Sequence, residues 1–173
     1  MAIRILLADD YAEARLATRR LLAEHSEWVI CDEAENGLDA VEKVAALKPD
    51  IVILDLSMPK MNGLEAAKII HATSHELPLL LFSVDGGDAR MLAGIRAAGF
   101  RGAVSKSTGW LLANAIEMLL QGKTFFNGDS SALAAPSAEA KAMAEATPRQ
   151  ADQPQNAKKA VAGADEPSEP PLA

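Results

Sequence analysis

Five polar residues stand apart in this chain because each closes a short aliphatic run: Asp9 and Asp10, Asp55, Ser83 and Lys106. A carboxylate at the end of a fully apolar run is costly to bury unless something compensates it. Three carboxylates brought into one crevice repel one another and resist joint ionisation. A divalent cation removes that conflict, and a few carboxylate oxygens with several retained waters suit Mg²⁺. An ionised aspartate beside Mg²⁺ is able to attack a phosphoryl group. Charge then builds on the phosphoryl oxygens, where an ammonium and a hydroxyl are the groups needed to hold it. Lys106 and Ser83 supply those two.

These residues act together only if the elements that carry them converge. Residues 51–54, Ile-Val-Ile-Leu, run without a polar break. Such a run reads as a strand buried on both faces of a parallel sheet. Met58-Pro59 and Asn62-Gly63 then force a loop, and a helical pattern opens at Leu64. The same alternation recurs along the chain. Strands are expected at residues 3–8, 28–34, 51–54, 78–83 and 102–105, and helices at 11–24, 38–47, 64–73, 88–98 and 110–120. Gly99 and Gly122 stop the last two helices.

Five strand–helix units predict an α/β fold: a doubly wound, flavodoxin-like (βα)5 parallel sheet with right-handed crossovers and strand order 2-1-3-4-5. Its switch point lies between the first and third strands, where Asp9-Asp10 and Asp55 end. Ser83 and Lys106 end the fourth and fifth strands on the same edge. Phe125 and Phe126 are expected to pack back and close the domain.

Composition narrows the function classes. The chain has 173 residues, enough for one domain and an extension, with a formal net charge of −7. That balance offers no electrostatic footprint for nucleic acid. No apolar run approaches membrane-spanning length and no signal peptide precedes the first strand, so a cytoplasmic protein without membrane contact is expected. The single cysteine, Cys31, builds neither a disulfide framework nor a Cys-based metal site; it is read as a packed small residue. From residue 129 onward Ala, Pro, Ser, Glu and Gln dominate. Such a stretch buries too little apolar surface to order itself. The expected division is therefore a folded domain over 1–128 and a disordered tail over 129–173, with a transient helix at 137–146.

Asp9-Asp10, Asp55 within LDLSMPKMNG, Ser83 and Lys106 resemble the signature of a two-component response regulator receiver domain, over residues 3–126. The wording ADD, DLSMPKMNGLEAA and GKTFF is most similar to NarL/FixJ-type receivers. The resemblance implies a phosphorelay signalling module that takes a phosphoryl group on Asp55, is not itself an enzyme, and acts through protein contacts. It implies Mg²⁺ held by Asp10, by Asp9 through water, by Asp55, and by the backbone carbonyl of Ser57. Lys106 would pair with Asp55 or its phosphoryl group, and Ser83 would hydrogen-bond that group. Implied partners are a sensor histidine kinase or phosphotransfer protein, a downstream protein, and a second copy in a homodimer. The sequence departs from the family pattern at Val84, where a small residue is usual, at Ala103, where an aromatic often stands, and at Ser107, where proline often follows the lysine. NarL/FixJ-type proteins continue into a helix-turn-helix, and no such pattern follows Phe126. DNA is accordingly not an expected partner.

Two other readings compete. A phosphatase of the haloacid-dehalogenase kind uses a nucleophilic aspartate in a similar sheet, but needs a second aspartate two residues on, where Ser57 stands. A receiver fold kept only as an interaction platform, with little or no phosphorylation, is opposed by the intact set of acids and favoured by Val84 and Ala103. The Asp9-Asp10 pair also reads as a helix N-cap. Gly86-Gly87-Asp88 reads as a loop, His25, His71 and His75 as exposed, and Trp110 as mostly core.

Overall fold

The computed structural model describes residues 1–84 and 89–126. Strand β1 (Ile3–Ala8) leads to helix α1 (Ala12–Leu22), and β2 (Trp28–Ala34) to α2 (Gly37–Leu47). The aliphatic run forms β3 (Ile51–Leu54), followed by α3 (Gly63–Thr73). Then come β4 (Leu79–Ser83), α4 (Ala89–Ala97), β5 (Gly102–Ser105), a 3-10 turn (Lys106–Leu111), α5 (Leu112–Leu120) and β6 (Phe125–Phe126). The sheet runs β2-β1-β3-β4-β5-β6, with every pairing parallel. The tail at 129–173, its helix at 137–146 and the Gly86-Gly87-Asp88 loop lie outside the described residues.

The unbroken aliphatic runs follow from helices on both faces. Successive strand residues point to opposite sides. Ile5, Leu7, Ile51, Ile53, Leu80, Phe82 and Val104 meet Leu112, Ile116 and Leu119 of α5 on one side. Leu6, Val52, Leu54, Leu79 and Leu81 meet Val44, Ala67, Ile70 and Ile95 from α2, α3 and α4 on the other. All residues of β3 and β4 are buried. Each fully buried Leu or Ile contributes about 1.5–3 kcal/mol, so a polar residue inside either strand would forfeit packing on a whole layer. Polar chemistry is thereby displaced to the strand ends.

β6 is an element that periodicity did not reveal as a strand. Phe125 and Phe126 do pack back, and they also pair with β5, Gly102 opposite Phe125 and Ala103 opposite Phe126. Both rings are buried, and Arg96 of α4 lies 3.8 Å over the Phe126 ring. At the other side of the sheet, β1 and β2 slip register between Ile5 and Leu6, leaving Cys31 as the extra residue. Cys31 is half-buried against the α2 side of the core.

Three details differ from expectation. Asp9 and Asp10 do not cap α1. Its N-cap is Tyr11, without a side-chain cap bond, and Asp9 Oδ1 instead accepts from the Tyr11 N–H at 3.0 Å. Trp110 lies in the 3-10 turn, half-buried against the α5 layer, and α5 begins at Leu112. Of the histidines only His75 is exposed. His25 stacks on Trp28 at 3.9 Å, and the half-buried His71 packs its Cβ and ring carbons against the positive-φ Gly99.

Candidate functional site

Asp9 follows β1 and Asp55 follows β3, and those strands are neighbours. The Asp55 N–H donates to the Ala8 carbonyl at 2.8 Å, which fixes the two strand ends side by side. Asp9 is 2 % exposed and Asp55 5 %. From the far end of β5, Lys106 reaches both: its Nζ lies 2.6 Å from Asp9 Oδ2 and 2.7 Å from Asp55 Oδ1. Burial alone would push the Lys106 ammonium down. Its hydrogen bonds to Asp55 and Asp9, with the charge of both carboxylates, outweigh burial and hold its pKa above the ordinary lysine value.

The second oxygen of Asp55 is also fixed. Oδ2 accepts the Ser57 N–H at 2.7 Å. The loop that makes this contact is pinned from both ends. Asn62 caps α3 in a reciprocal box with Glu65: the Glu65 N–H donates to Asn62 Oδ1 at 2.9 Å, and the Asn62 N–H to Glu65 Oε2 at 3.2 Å. Gly63 donates its N–H to the Leu56 carbonyl at 2.9 Å. A Cβ on Gly63 would come within 2.1 Å of the Asp55 carbonyl oxygen, so only glycine lets α3 begin this close to the acid. Pro59, Lys60 and Met61 form a tight reversal, with the Met61 N–H donating to the Pro59 carbonyl at 2.7 Å and Lys60 at φ 65°. That is a γ-turn with positive φ at its centre, a rare and strained backbone.

Ser83 is buried at the end of β4 and pairs in register with Ser105, the residue before Lys106. Ser105 was not anticipated. Its Oγ lies 3.4 Å from the Val84 carbonyl and 2.8 Å from Ser107 Oγ, and it accepts the Ser107 N–H at 3.3 Å. It therefore ties the loop after β4 to the turn that carries Lys106. Val84 itself is exposed and Ala103 is wholly buried. Asp10 and Ser57 are exposed beside the buried pair.

Arg15 is a second residue that sequence reasoning passed over. It is 9 % exposed, and its Nη1 donates to the Asp9 backbone carbonyl at 2.7 Å. No sequence signal separates it from the other arginines of α1; only the fold shows which one turns inward.

The structure thus brings together Asp9, Asp55 and Lys106, with Ser57 on one side and Ser83 on the same sheet edge. It does not gather three acidic side chains: among the described residues no group of three or more His, Cys, Asp or Glu is arranged to hold a metal. The donor chemistry nevertheless fits Mg²⁺. Two nearly buried carboxylates share one ammonium, and Asp10 adds a third negative charge next in sequence. The excess is two negative charges, on hard oxygen donors, for an ion that keeps several waters. Asp9, Asp10, Asp55 and the Ser57 carbonyl are the groups available to it.

Among the described residues no helix is long and apolar enough to cross a membrane. Comparison with known proteins places this geometry. Residues 5–115 match the family model described as the response regulator receiver domain. Chemotaxis protein CheY of Thermotoga maritima is 36% identical over 97 residues, covering 56% of this chain and 80% of that protein. A protein-glutamate methylesterase/protein-glutamine glutaminase of Methanosarcina acetivorans is 46% identical over 81 residues, 47% of this chain and only 23% of that longer protein. In three dimensions, a LuxR-family two-component response regulator from Aurantimonas sp. superposes with a TM-score of 0.68 at 31% identity, over 75% of this chain and 92% of that one. The chain belongs to the response regulator receiver domain family.

Proposed function

We propose that this chain is the phosphoacceptor of a phosphorelay, of the NarL/FixJ type, and that Asp55 takes the phosphoryl group. The observation that carries the reading is the single ammonium of Lys106 shared between Asp9 at 2.6 Å and Asp55 at 2.7 Å. A purely structural ion pair would need one acid. Here a second buried acid stands uncompensated beside it, at the carboxyl edge of the sheet where ligands of such folds bind. The resemblance to a LuxR-family regulator supports the subtype.

The chemistry follows from the groups in place. A carboxylate oxygen of Asp55 attacks the phosphorus of a phosphohistidine or small acyl phosphate. The bond from phosphorus to the leaving group breaks, and that group departs with the electron pair. The Ser57 N–H holds the other Asp55 oxygen, so the carboxylate is oriented before the donor arrives. The Lys106 ammonium keeps its bond to Asp9 and exchanges Asp55 Oδ1 for a phosphoryl oxygen, which places positive charge where negative charge accumulates. The buried Ser83 hydroxyl lies on the same edge to donate to another. Mg²⁺, held by Asp9, Asp10, Asp55 and the Ser57 carbonyl, supplies the remaining neutralisation when bound.

In this reading the domain is not itself an enzyme. It is cytoplasmic, it receives phosphoryl groups from a sensor histidine kinase or phosphotransfer protein, and it passes the signal to a downstream protein or a second copy, without DNA. Residues 1–128 make the receiver and 129–173 its tail. Incubation with acetyl phosphate and Mg²⁺ should yield one acyl phosphate, mapped to Asp55 and absent in Asp55→Asn. Undiminished labelling of that variant would refute the assignment.

A further inference from the structure

We infer that Arg15 is a positioning residue for the acid pair at the end of β1, holding Asp9 by its peptide while leaving its carboxylate to the site. This rests on the phosphoacceptor reading above. Arg15 sits on the first turn of α1, almost buried, and three of its nitrogens are committed. Nη1 donates to the Asp9 carbonyl at 2.7 Å, Nε to Glu33 Oε2 at 2.8 Å and Nη2 to Glu35 Oε1 at 3.2 Å. Those partners lie on three segments: the end of β1, the end of β2 and the start of the following loop. A planar fork is the one side chain able to serve all three in fixed directions.

What Arg15 avoids is as informative as what it binds. A guanidinium this close to a buried aspartate would ordinarily pair with its carboxylate. That pairing would halve the negative excess on which cation binding depends. Here Glu33 and Glu35 take the charge of Arg15, and only a neutral carbonyl of Asp9 is offered to it. Asp9 Oδ1 is meanwhile held by the Tyr11 N–H and Oδ2 by Lys106. The two glutamates therefore aim the fork, the fork pins the peptide between Asp9 and Asp10, and the acid pair keeps its charge.

The test uses the full chain, labelled with ¹⁵N and titrated with MgCl₂ before any phosphodonor is added, following the Tyr11 amide. Groups that orient a metal's ligands commonly change affinity 10- to 100-fold when removed. In Arg15→Met the Mg²⁺ dissociation constant should rise about tenfold, and the Tyr11 amide should lose exchange protection. Arg15→Lys keeps the charge without the fork and should rescue neither. Arg19→Met removes an exposed partner of Glu33 and should leave both unchanged. Should Arg15→Met fail to fold, the pair Glu33→Gln with Glu35→Gln frees the fork to turn on the Asp9 carboxylate, and Mg²⁺ affinity should again fall. Unaltered Mg²⁺ affinity in these variants, with only the melting temperature lowered, would make Arg15 plain scaffolding and overturn the inference. That result would leave Asp55 labelling in the parent chain intact. A parent chain that neither binds Mg²⁺ nor labels would instead sink the phosphoacceptor reading and this inference with it.

Discussion

Two charge clusters lie on the same edge of the sheet, and they are built in opposite ways. At the junction of β1, β3 and β5, one cation serves two acids, Lys106 between Asp9 and Asp55. At the end of β2, one acid serves two cations: Glu33 accepts from Arg15 at 2.8 Å and from Arg19 at 2.5 Å. The carboxylates of the first cluster are 3 % and 6 % exposed, whereas Glu33 is 27 % exposed. The first cluster is buried and short of positive charge; the second is wetter and amply supplied. Burial of unmatched charge is tolerated where it prepares for a ligand. Matched charge near solvent ties elements together and contributes modestly to stability.

The sharpest way to break this contrast is to remove the shared cation. Lys106→Met leaves two adjacent buried carboxylates. Breaking a buried pair by deleting one partner costs about 3–5 kcal/mol, and partial exposure of Lys106 brings the expectation down to about 2–3 kcal/mol. The loss should shrink when Mg²⁺ is added. Urea unfolding with and without Mg²⁺ checks this. A loss that ignores Mg²⁺ would mean that Lys106 acts by packing alone.

Asp9→Asn sharpens the same point from the other side. Asparagine keeps an oxygen for the Tyr11 N–H, and Lys106 keeps Asp55. Stability should stay within about 1 kcal/mol of the parent or rise, because a repulsive buried charge has gone. Mg²⁺ binding and labelling should fall at least tenfold. Parallel loss of stability and function would place Asp9 in the scaffold instead.

The outer cluster predicts smaller effects with a defined pH window. Burial raises the Glu33 pKa, but the hydrogen bonds and charges of Arg19 and Arg15 prevail and hold it below the ordinary glutamate value of 4.5. A carboxylate whose folded pKa is depressed contributes stability above its unfolded pKa and loses it as pH falls through the folded value. Glu33→Gln should therefore cost about 1 kcal/mol at neutral pH. The difference from the parent should close below pH 4.5. A difference that persists in acid would show that the amide disturbs packing.

Much of this was legible in the chain because burial on both faces forbids polar residues inside a strand. The run at 51–54 and the acids at 9 and 55 could not be arranged otherwise in a parallel sheet. The six-strand order differs from the expected five only by β6, and that is the element without a period to read: Phe125 and Phe126 are two residues whose pairing depends on where α5 ends. Arg15 and Ser105 were equally invisible. One turn of helix and one register position decide that they face inward, and neither leaves a mark in composition. The capping role expected of Asp9-Asp10 failed for a related reason. Asp9 Oδ1 binds the Tyr11 N–H and Oδ2 binds a lysine 97 positions away, and long-range partners of that kind do not appear in local patterns.

The smallest effect concerns Val84, the residue after β4. The sequence departs from the family pattern here, and the departure predicts slower labelling by small donors because a β-branched side chain stiff at χ1 crowds the way to Asp55. The structure gives that idea limited room. Val84 is 73 % exposed, so its side chain has solvent to turn into, and its carbonyl is tethered to Ser105 Oγ at 3.4 Å. So exposed a side chain contributes little to the core, and Val84→Ala should change stability by less than about 0.5 kcal/mol. Labelling by acetyl phosphate should speed up a few-fold at most, a smaller effect than that of Asp9→Asn and in the other direction. Ala103 bears on the same question from inside the sheet. It is wholly buried opposite Phe126, and its side chain is a single methyl group. If Val84→Ala labels no faster than the parent, crowding is excluded. Ala103→Ser should then be tried next, by following amide shifts along β5.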